Sequence, residues 1–187
     1  MRKLSLLKKW DSLSPYRKLI FGFLVAIFVG VILLKLPFSL RENQNITVLD
    51  SLFTIVSAIC VTGLSVVDVS QVFTPTGQLI ILFFIQLGGL GVMTVSIMIF
   101  LLIGKKMSFE TRELLKEERN SNSNGGITNF IKHLLLTVFV IEILGASILA
   151  YGFSKYYPLK RSIFYGLFHS VSAFCNAGFS LFTNNLE

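Results

Sequence analysis

The sequence predicts an all-α membrane protein built from a repeated unit, in which a spanning helix, a short re-entrant helix and a second spanning helix follow one another. Three observations predict this fold class. Of the 187 residues, 53% are hydrophobic and only 14% are charged, whereas average soluble domains carry about 25% charged residues. Long uncharged segments recur along the chain, and the segment at residue 47 matches the segment at residue 162 without a gap. We therefore expect three transmembrane helices and two re-entrant helices, with the second unit truncated.

The charge balance narrows the functional class. The net charge is +7, from 17 Lys and Arg residues against 10 Asp and Glu residues, and the mean hydropathy is +0.72. In a chain this apolar, a basic excess indicates orientation in a membrane, and we expect no nucleic-acid partner. Cys60 and Cys175 are too few for a disulfide scaffold and lack metal-site spacing. Because no nucleophile–base set stands out either, we do not expect an enzyme.

The first two segments predict the orientation of the chain. Residues 1–18 carry six Lys or Arg residues, which is typical of a cytoplasmic basic segment. Residues 19–34 contain no charged side chain and, with their flanks, approach the roughly 20 helical residues that cross a hydrocarbon core. This first transmembrane helix therefore starts inside the cell and places the N-terminus in the cytoplasm.

A short apolar run follows at residues 49–61. Its 13 residues are too few to cross the membrane and fit a re-entrant or buried helix. Thr47 is the expected N-cap, and Asp50 stands where the positive end of a helix favours an acid. Thr62 and Gly63 end the run.

Residues 79–103 form the predicted second transmembrane helix. These 25 residues carry no charge and make about 37 Å of helix, enough to span with tilt. The helix contains Gln86 and a glycine cluster at 88–91, where glycines permit either close helix contact or a local break. Residues 19–103 are thus the first repeat, and residues 104–129 form a second cytoplasmic loop.

The second repeat, residues 130–187, is predicted to be incomplete. Residues 134–153 form the third transmembrane helix and contain Glu142. Residues 164–175 are again short and apolar, and they end at Asn176-Ala177-Gly178. No closing helix follows before residue 187.

The internal repeat is the strongest feature of the sequence. Residues 47–68 lie over residues 162–183 at a constant offset of 115, and eight of the 22 positions are identical. Both copies begin inside the cell, so the repeats are parallel and fit rotation about an axis along the membrane normal. The identical pairs are Leu52/Leu167, Phe53/Phe168, Val56/Val171, Ser57/Ser172, Ala58/Ala173, Cys60/Cys175, Gly63/Gly178 and Ser65/Ser180.

The chemistry of this repeated unit favours the binding of a cation. Glycine reaches a positive φ at little steric cost, so at Gly63 and Gly178 successive carbonyls can point to one side and replace water around an ion. The short helix before each glycine also points its partially negative end at the turn. The alternative, in which each glycine is simply a helix C-cap and each short helix packs in a bundle, stays open.

Three linked motifs resemble one known family. They are VSAICVTGLS at 56–65, QLGGLGVMT at 86–94 and SAFCNAGFS at 172–180. They are similar to the Trk/Ktr/HKT superfamily of cation transporters, most of all to the N-terminal part of the bacterial Ktr membrane subunits. The resemblance covers essentially the whole chain. It implies potassium uptake across the cell membrane through four such repeats around one pore, with sodium as a coupling or activating ion and no covalent cofactor.

Carried onto this chain, the resemblance implies two stretches of a cation filter with imperfect exclusion of sodium. It also implies the lipid bilayer, a homodimer of full-length pore subunits and a cytosolic nucleotide-binding regulatory ring as partners, with residues 105–119 as a candidate dock for the ring. The implied filter residues are Cys60, Val61, Thr62, Gly63, Cys175, Asn176, Ala177 and Gly178.

The number of repeats departs from the family pattern. Two of four filter loops cannot ring an ion, and carbonyls that face lipid cost several kcal/mol each. We therefore expect a fragment that does not conduct alone. The alternative is a small membrane scaffold or regulatory subunit without a pore, and a weaker one is a membrane enzyme whose site lies on missing sequence.

Five further side chains have expected roles of their own. Asp68 and Glu142 are candidates for the cation path. Asp68 could equally be a solvated loop acid, and Glu142 could be a buried acid held by a polar partner. His169 is expected to pack with one hydrogen-bond partner, and Cys60 and Cys175 are expected to be small buried hydrophobes.

Overall fold

The computed structural model describes residues 15–91 and 127–183. Within these ranges the chain forms helices and the loops between them, and the single extended pairing is an isolated bridge between Leu40 and Phe73. The predicted all-α fold is confirmed for this part of the chain. Residues 104–126 of the predicted cytoplasmic loop (104–129) and the segments at 1–14 and 184–187 lie outside the described residues.

Helix α1 runs from Pro15 to Lys35 and so begins before the predicted residue 19. Proline is favoured in the first turn of a helix, because its missing N–H has no partner there in any case. The helix ends just before Leu36-Pro37, since a residue that precedes proline avoids the helical conformation. A single 3₁₀ turn, Pro37–Ser39, then leads into the loop.

Helix α2, Val48–Ile59, is the short apolar helix that the sequence predicts. Thr47 and Asp50 form a complete capping box, since each side chain accepts a hydrogen bond from the backbone N–H of the other residue. The prediction for both residues is confirmed, and such a cap stabilises a helix by about 1 kcal/mol. Twelve residues make about 18 Å of helix, so α2 is too short to cross the membrane.

Two helices follow in the first repeat. Asp68 caps the four-residue helix α3, Val69–Val72, and Thr74 caps helix α4, Pro75–Leu90. Helix α4 stops at Leu90 because Gly91 takes a φ of 79°, so the glycine cluster does contain a break. The remainder of the predicted second transmembrane helix, residues 92–103, lies outside the described residues.

The second repeat contains helices α5, Ile127–Phe153, and α6, Leu159–Phe174. Helix α5 ends where the sequence predicts but begins seven residues earlier than residue 134. Helix α6 begins at Leu159, five residues before the predicted residue 164, and Pro158 occupies its N-cap position.

By length and apolar composition, one helix of the described residues can cross a membrane, the part of α5 from His133 to Phe153. The apolar helices Ile20–Lys35 and Pro75–Leu90 are shorter. The other two predicted transmembrane helices therefore stay predictions.

The helices pack as two groups joined through α4. Helices α1, α2 and α4 pack on one another, α5 packs on α6, and α4 also contacts α6. The buried core takes side chains from both repeats, for example Ile55 and Ile85 from the first and Phe168 and Leu181 from the second. Helix α4 therefore contacts both short helices, α2 and α6.

The repeat is visible in the packing as well as in the sequence. A Cβ added at Gly30 of α1 would lie 2.8 Å from Ile55 of α2, and one added at Gly145 of α5 would lie 2.5 Å from the hydroxyl of Ser170 of α6. These two contacts are related by the same offset of 115. Helices α1 and α2 therefore cross at a glycine equivalent to the one at which α5 and α6 cross.

Candidate functional site

The two short helices end in the same backbone motif. In α2, the N–H groups of Cys60, Val61 and Thr62 donate to Val56, Ala58 and Ser57, over 2.8, 3.2 and 3.0 Å. In α6, the equivalent three bonds are 2.9, 3.0 and 2.7 Å long, from Cys175, Asn176 and Ala177 to Val171, Ala173 and Ser172. This is the pattern of a Schellman C-cap.

The left-handed residue that such a cap requires is not the glycine. Val61 has a φ of 56° and Asn176 a φ of 55°, and Gly63 and Gly178 follow two residues later with φ values of 72° and 71°. The glycines therefore lie beyond the cap and do not form it. Each turn therefore has two left-handed residues separated by one residue, whereas a helix C-cap requires only one.

The two turns touch at their glycines. A Cβ added at Gly63 would lie 2.5 Å from the carbonyl oxygen of Ala177 and 2.9 Å from Cα of Gly178. A Cβ added at Gly178 would lie 3.3 Å from Cα of Gly63. The backbones therefore approach each other most closely at Gly63, where a Cβ would overlap the second turn, and more loosely at Gly178. The structure brings the two predicted filter stretches together.

A polar cavity of about 240 Å³ opens on the side of the segments that follow the glycines. Asp68 lines this cavity, so it lies near the predicted filter. Its Oδ1 atom is also engaged in the cap of α3, where it accepts from the backbone N–H groups of Ser70 and Gln71 at 2.8 and 3.2 Å. Other lining residues are Gly63, Ser65, Gly178, Ser180 and Thr183.

Glu142 lies elsewhere, in an apolar groove of about 370 Å³ between α4, α5 and α6. It is 3% exposed, and its Oε1 atom accepts a 2.8 Å hydrogen bond from Nε2 of Gln86. The Oε1 atom of Gln86 in turn accepts a 3.7 Å bond from Sγ of Cys175. A chain of polar contacts therefore leads from α5 through α4 to the start of the second predicted filter stretch.

The two cysteines differ in exposure. Both thiols are free, Cys175 is half-buried and Cys60 is exposed. The prediction of a small buried side chain is therefore wrong for Cys60, because the residue lies at the exposed end of α2 and lacks a partner equivalent to Gln86 among the described contacts.

Asp50 has a structural role at the far end of α2. Its Oδ2 atom accepts bonds from the hydroxyl and the backbone N–H of Thr47, at 2.8 and 2.9 Å. Both bonds lower the pKa of Asp50, and the bond from the Thr47 hydroxyl has the larger effect. The carboxylate is therefore held charged at the N-terminus of α2, where the helix dipole also favours a negative charge.

Sequence reasoning missed two features of the site. It assigned one hydrogen-bond partner to His169, whereas the imidazole contacts Tyr165, Ser180 and Leu181. It did not find that the hydroxyl of Ser172 donates to the carbonyl of Phe179 at 2.7 Å. The identity of Ser57 and Ser172 in the repeat was the available signal for the second feature.

Comparisons with known proteins all indicate the same family. Residues 10–187 match the family described as "TrkH: Cation transport protein". The chain is 41% identical over 178 residues to the "Ktr system potassium uptake protein B" of Bacillus subtilis (strain 168), an alignment that covers 95% of this chain and 40% of the relative. It is 37% identical over 174 residues to the "Potassium/sodium uptake protein NtpJ" of Enterococcus hirae, covering 93% of this chain and 39% of the relative.

A third relative, the "Ktr system potassium uptake protein D" of Bacillus subtilis (strain 168), is 36% identical over 177 residues, which is 94% of this chain and 39% of the relative. All three are uptake proteins and not enzymes. The chain spans about two fifths of the length of the curated relatives it matches.

Proposed function

The chain belongs to the TrkH family of cation transport proteins, and we propose that it is part of a potassium uptake transporter whose pore-loop carbonyls line a cation selectivity filter. The two turns after α2 and α6 supply the loops. The filter residues are Cys60, Val61, Thr62, Gly63, Cys175, Asn176, Ala177 and Gly178.

One observation carries this proposal. The turns share their hydrogen bonds and their pairs of left-handed residues, and they meet at Gly63 and Gly178. A backbone held in this way can present several carbonyls toward one point, and rings of carbonyls replace the hydration shell of a cation. A helix C-cap alone explains neither the second left-handed residue nor the contact between the glycines.

The ion is proposed from the relatives. The names of the two B. subtilis relatives refer to potassium uptake, and the name of the E. hirae relative refers to potassium and sodium. We assign potassium as the transported ion and sodium as a coupling or activating ion. Asp68 lines the polar cavity beside the glycines, where its charge would raise the local cation concentration.

Orientation and partners are part of the same proposal. The basic residues at 1–18 and 104–129 support a cytoplasmic location for these two segments. The names of two relatives refer to a Ktr system, which supports a membrane subunit that works with others. We assign a homodimer of full-length subunits and a cytosolic nucleotide-binding ring as those partners.

The filter is tested by alanine substitutions at two glycines that share a positive φ. Gly63→Ala places a Cβ against the backbone of the second loop, whereas the Cβ of Gly91→Ala meets none of the described residues within 4 Å. In the longest native reading frame that contains this chain, expressed in a bacterial strain deficient in potassium uptake, we expect Gly63→Ala to reduce potassium influx at least about tenfold. Gly91→Ala carries only the backbone strain of about 1–2 kcal/mol and keeps most of the influx.

Immunoblots of the membrane fraction control for the amount of each variant. Equal influx in the two variants, at equal protein levels, would rule out the filter role of Gly63.

A further inference from the structure

The two turns are alike up to their glycines, but the segments that follow them differ. In the first repeat, Leu64 and Val66 are 61% and 56% exposed. The equivalent residues of the second repeat, Phe179 and Leu181, are 4% and 2% exposed. The exit segment of the second loop, defined here as residues 179–182, is therefore packed, and the structure shows which side chain holds it.

His169 of α6 reaches this exit segment with its outer ring nitrogen. Nε2 lies 3.3 Å from the backbone nitrogen of Leu181 and 3.3 Å from the hydroxyl of Ser180. Nδ1 lies 2.8 Å from the carbonyl oxygen of Tyr165. Since a carbonyl only accepts and a backbone N–H only donates, the neutral ring with its proton on Nδ1 satisfies both neighbours.

Two further contacts fix the same segment. The ring of Phe182 stacks on the imidazole, with centroids 4.6 Å apart and an interplanar angle of 24°. The hydroxyl of Ser172, one turn further along α6, donates to the carbonyl of Phe179 at 2.7 Å. Helix α6 is thus tied to its own exit segment at residues 179, 181 and 182.

The equivalent side chains of the first repeat are used in other ways. Thr54, which stands at the position of His169, donates to the carbonyl of Asp50 within its own helix at 2.8 Å. Ser57, the counterpart of Ser172, bonds the hydroxyl of Thr62 before the glycine at 2.9 Å. The imidazole therefore makes a connection that a threonine at this position does not make.

We propose that His169 is a positioning residue that braces the second filter loop and so determines discrimination between potassium and sodium, an inference that rests on the proposed filter. A loop whose exit segment is fixed cannot contract around the smaller sodium ion, so its carbonyls replace the hydration of potassium better than that of sodium. The imidazole acts through the backbone of Leu181 and does not touch the ion.

Two substitutions at His169 test the two ring nitrogens separately. His169→Asn keeps an amide N–H near the position of Nδ1 for the carbonyl of Tyr165, but loses the acceptor for Leu181. His169→Gln keeps an oxygen near the position of Nε2 for the N–H of Leu181. Thr54→Ala is the matched control in the first repeat, because its hydroxyl bonds only within α2.

The test uses the longest native reading frame that contains the chain and measures potassium and sodium influx together with hydrogen exchange of peptides that cover residues 179–183. For His169→Asn we expect a potassium-to-sodium ratio at least about threefold lower and faster exchange in those peptides. For His169→Gln and Thr54→Ala we expect both quantities to stay near those of the native protein.

The outcomes are distinct. Unchanged exchange in His169→Asn overturns the brace, and faster exchange with an unchanged ion ratio overturns its role in selectivity. A native protein that carries no potassium overturns the proposed function and the selectivity role with it, whereas a failure confined to His169→Asn overturns this inference alone.

Discussion

Val61 and Asn176 occupy the same backbone position in the two turns, with φ values of 56° and 55°. The two side chains are not equally suited to it. Asparagine tolerates the left-handed region, whereas a β-branched residue there is a genuine outlier that costs about 1–2 kcal/mol. Strain of this kind persists where surrounding structure fixes it and is concentrated at functional sites. The first turn therefore stores strain that the second turn does not.

A reciprocal exchange tests this asymmetry. Val61→Asn relieves the strain and should raise the thermal midpoint of the detergent-solubilised protein, by about 2–4 °C for each 1 kcal/mol in a chain of this size. Asn176→Val introduces the strain and should lower the midpoint by a similar amount. Shifts of the same sign in both variants would contradict the account.

The sequence predicts part of this residue-scale picture. Gly63 and Gly178 are predicted as turning points, and both have a positive φ. The conformation of Val61 could not be predicted from its residue type, because branching at Cβ disfavours a positive φ. The repeat offered an indirect signal, since the offset of 115 pairs Val61 with Asn176, a residue that accepts this conformation.

Close packing of α4 on the end of α2 depends on Gly88. A Cβ added there would overlap the carbonyl oxygen of Ile59, which is backbone and cannot move aside as a side chain can. Gly88→Ala should therefore destabilise the protein by about 1–3 kcal/mol, the usual cost of overpacking. Gly152→Ala in α5 meets nothing within 4 Å and should be neutral or stabilise by up to about 1 kcal/mol, since alanine favours a helix.

Thermal unfolding in detergent measures both variants under the same conditions. Equal midpoints for Gly88→Ala and Gly152→Ala would mean that α4 does not approach α2 as closely as the structure has it.

Glu142 of α5, which contacts Gln86 of α4, has two candidate roles, to hold the helices together or to line the cation path. Substitutions at Glu142 distinguish them. If Glu142 holds the helices together, Glu142→Gln retains an oxygen that accepts from Gln86 and should leave potassium influx near the native value. Glu142→Leu leaves the amide of Gln86 without this partner and should destabilise the protein by about 1–3 kcal/mol. A loss of influx in Glu142→Gln at an unchanged thermal midpoint would instead assign Glu142 to the cation path.

Element boundaries are predicted best where local chemistry decides them. The start of α2 follows from the capping box of Thr47 and Asp50, and that prediction is confirmed. The sequence does not predict the start of α6, because the basic residues Lys160 and Arg161 conceal a helix that begins at Leu159. The end of α4 stayed ambiguous because a glycine cluster permits both contact and break, and the structure has both, at Gly88 and at Gly91.

At the scale of the whole molecule, the internal repeat is the sequence feature that predicts most of the structure. It extends from identical residues to equivalent crossings, Gly30 on Ile55 and Gly145 on Ser170, and to equivalent turns. The asymmetry between the copies could not be predicted. It depends on the contacts of His169 and Ser172 with residues 179–182, which follow them in the chain and which only the fold brings back onto α6. A repeat predicts what the copies share and leaves their differences to tertiary packing.

The largest prediction concerns the 187-residue chain expressed alone. It contains two of the proposed filter loops, and its family relatives are about two and a half times as long. Two loops surround an ion on one side, and the open side leaves carbonyls without partners at a cost of several kcal/mol each. We therefore expect the chain alone to reach the membrane fraction without restoring growth at low potassium in an uptake-deficient strain, whereas the longest native reading frame that contains it restores growth. Growth restored by the 187-residue chain, at a level that Gly63→Ala abolishes, would mean that copies of this chain assemble a complete filter by themselves.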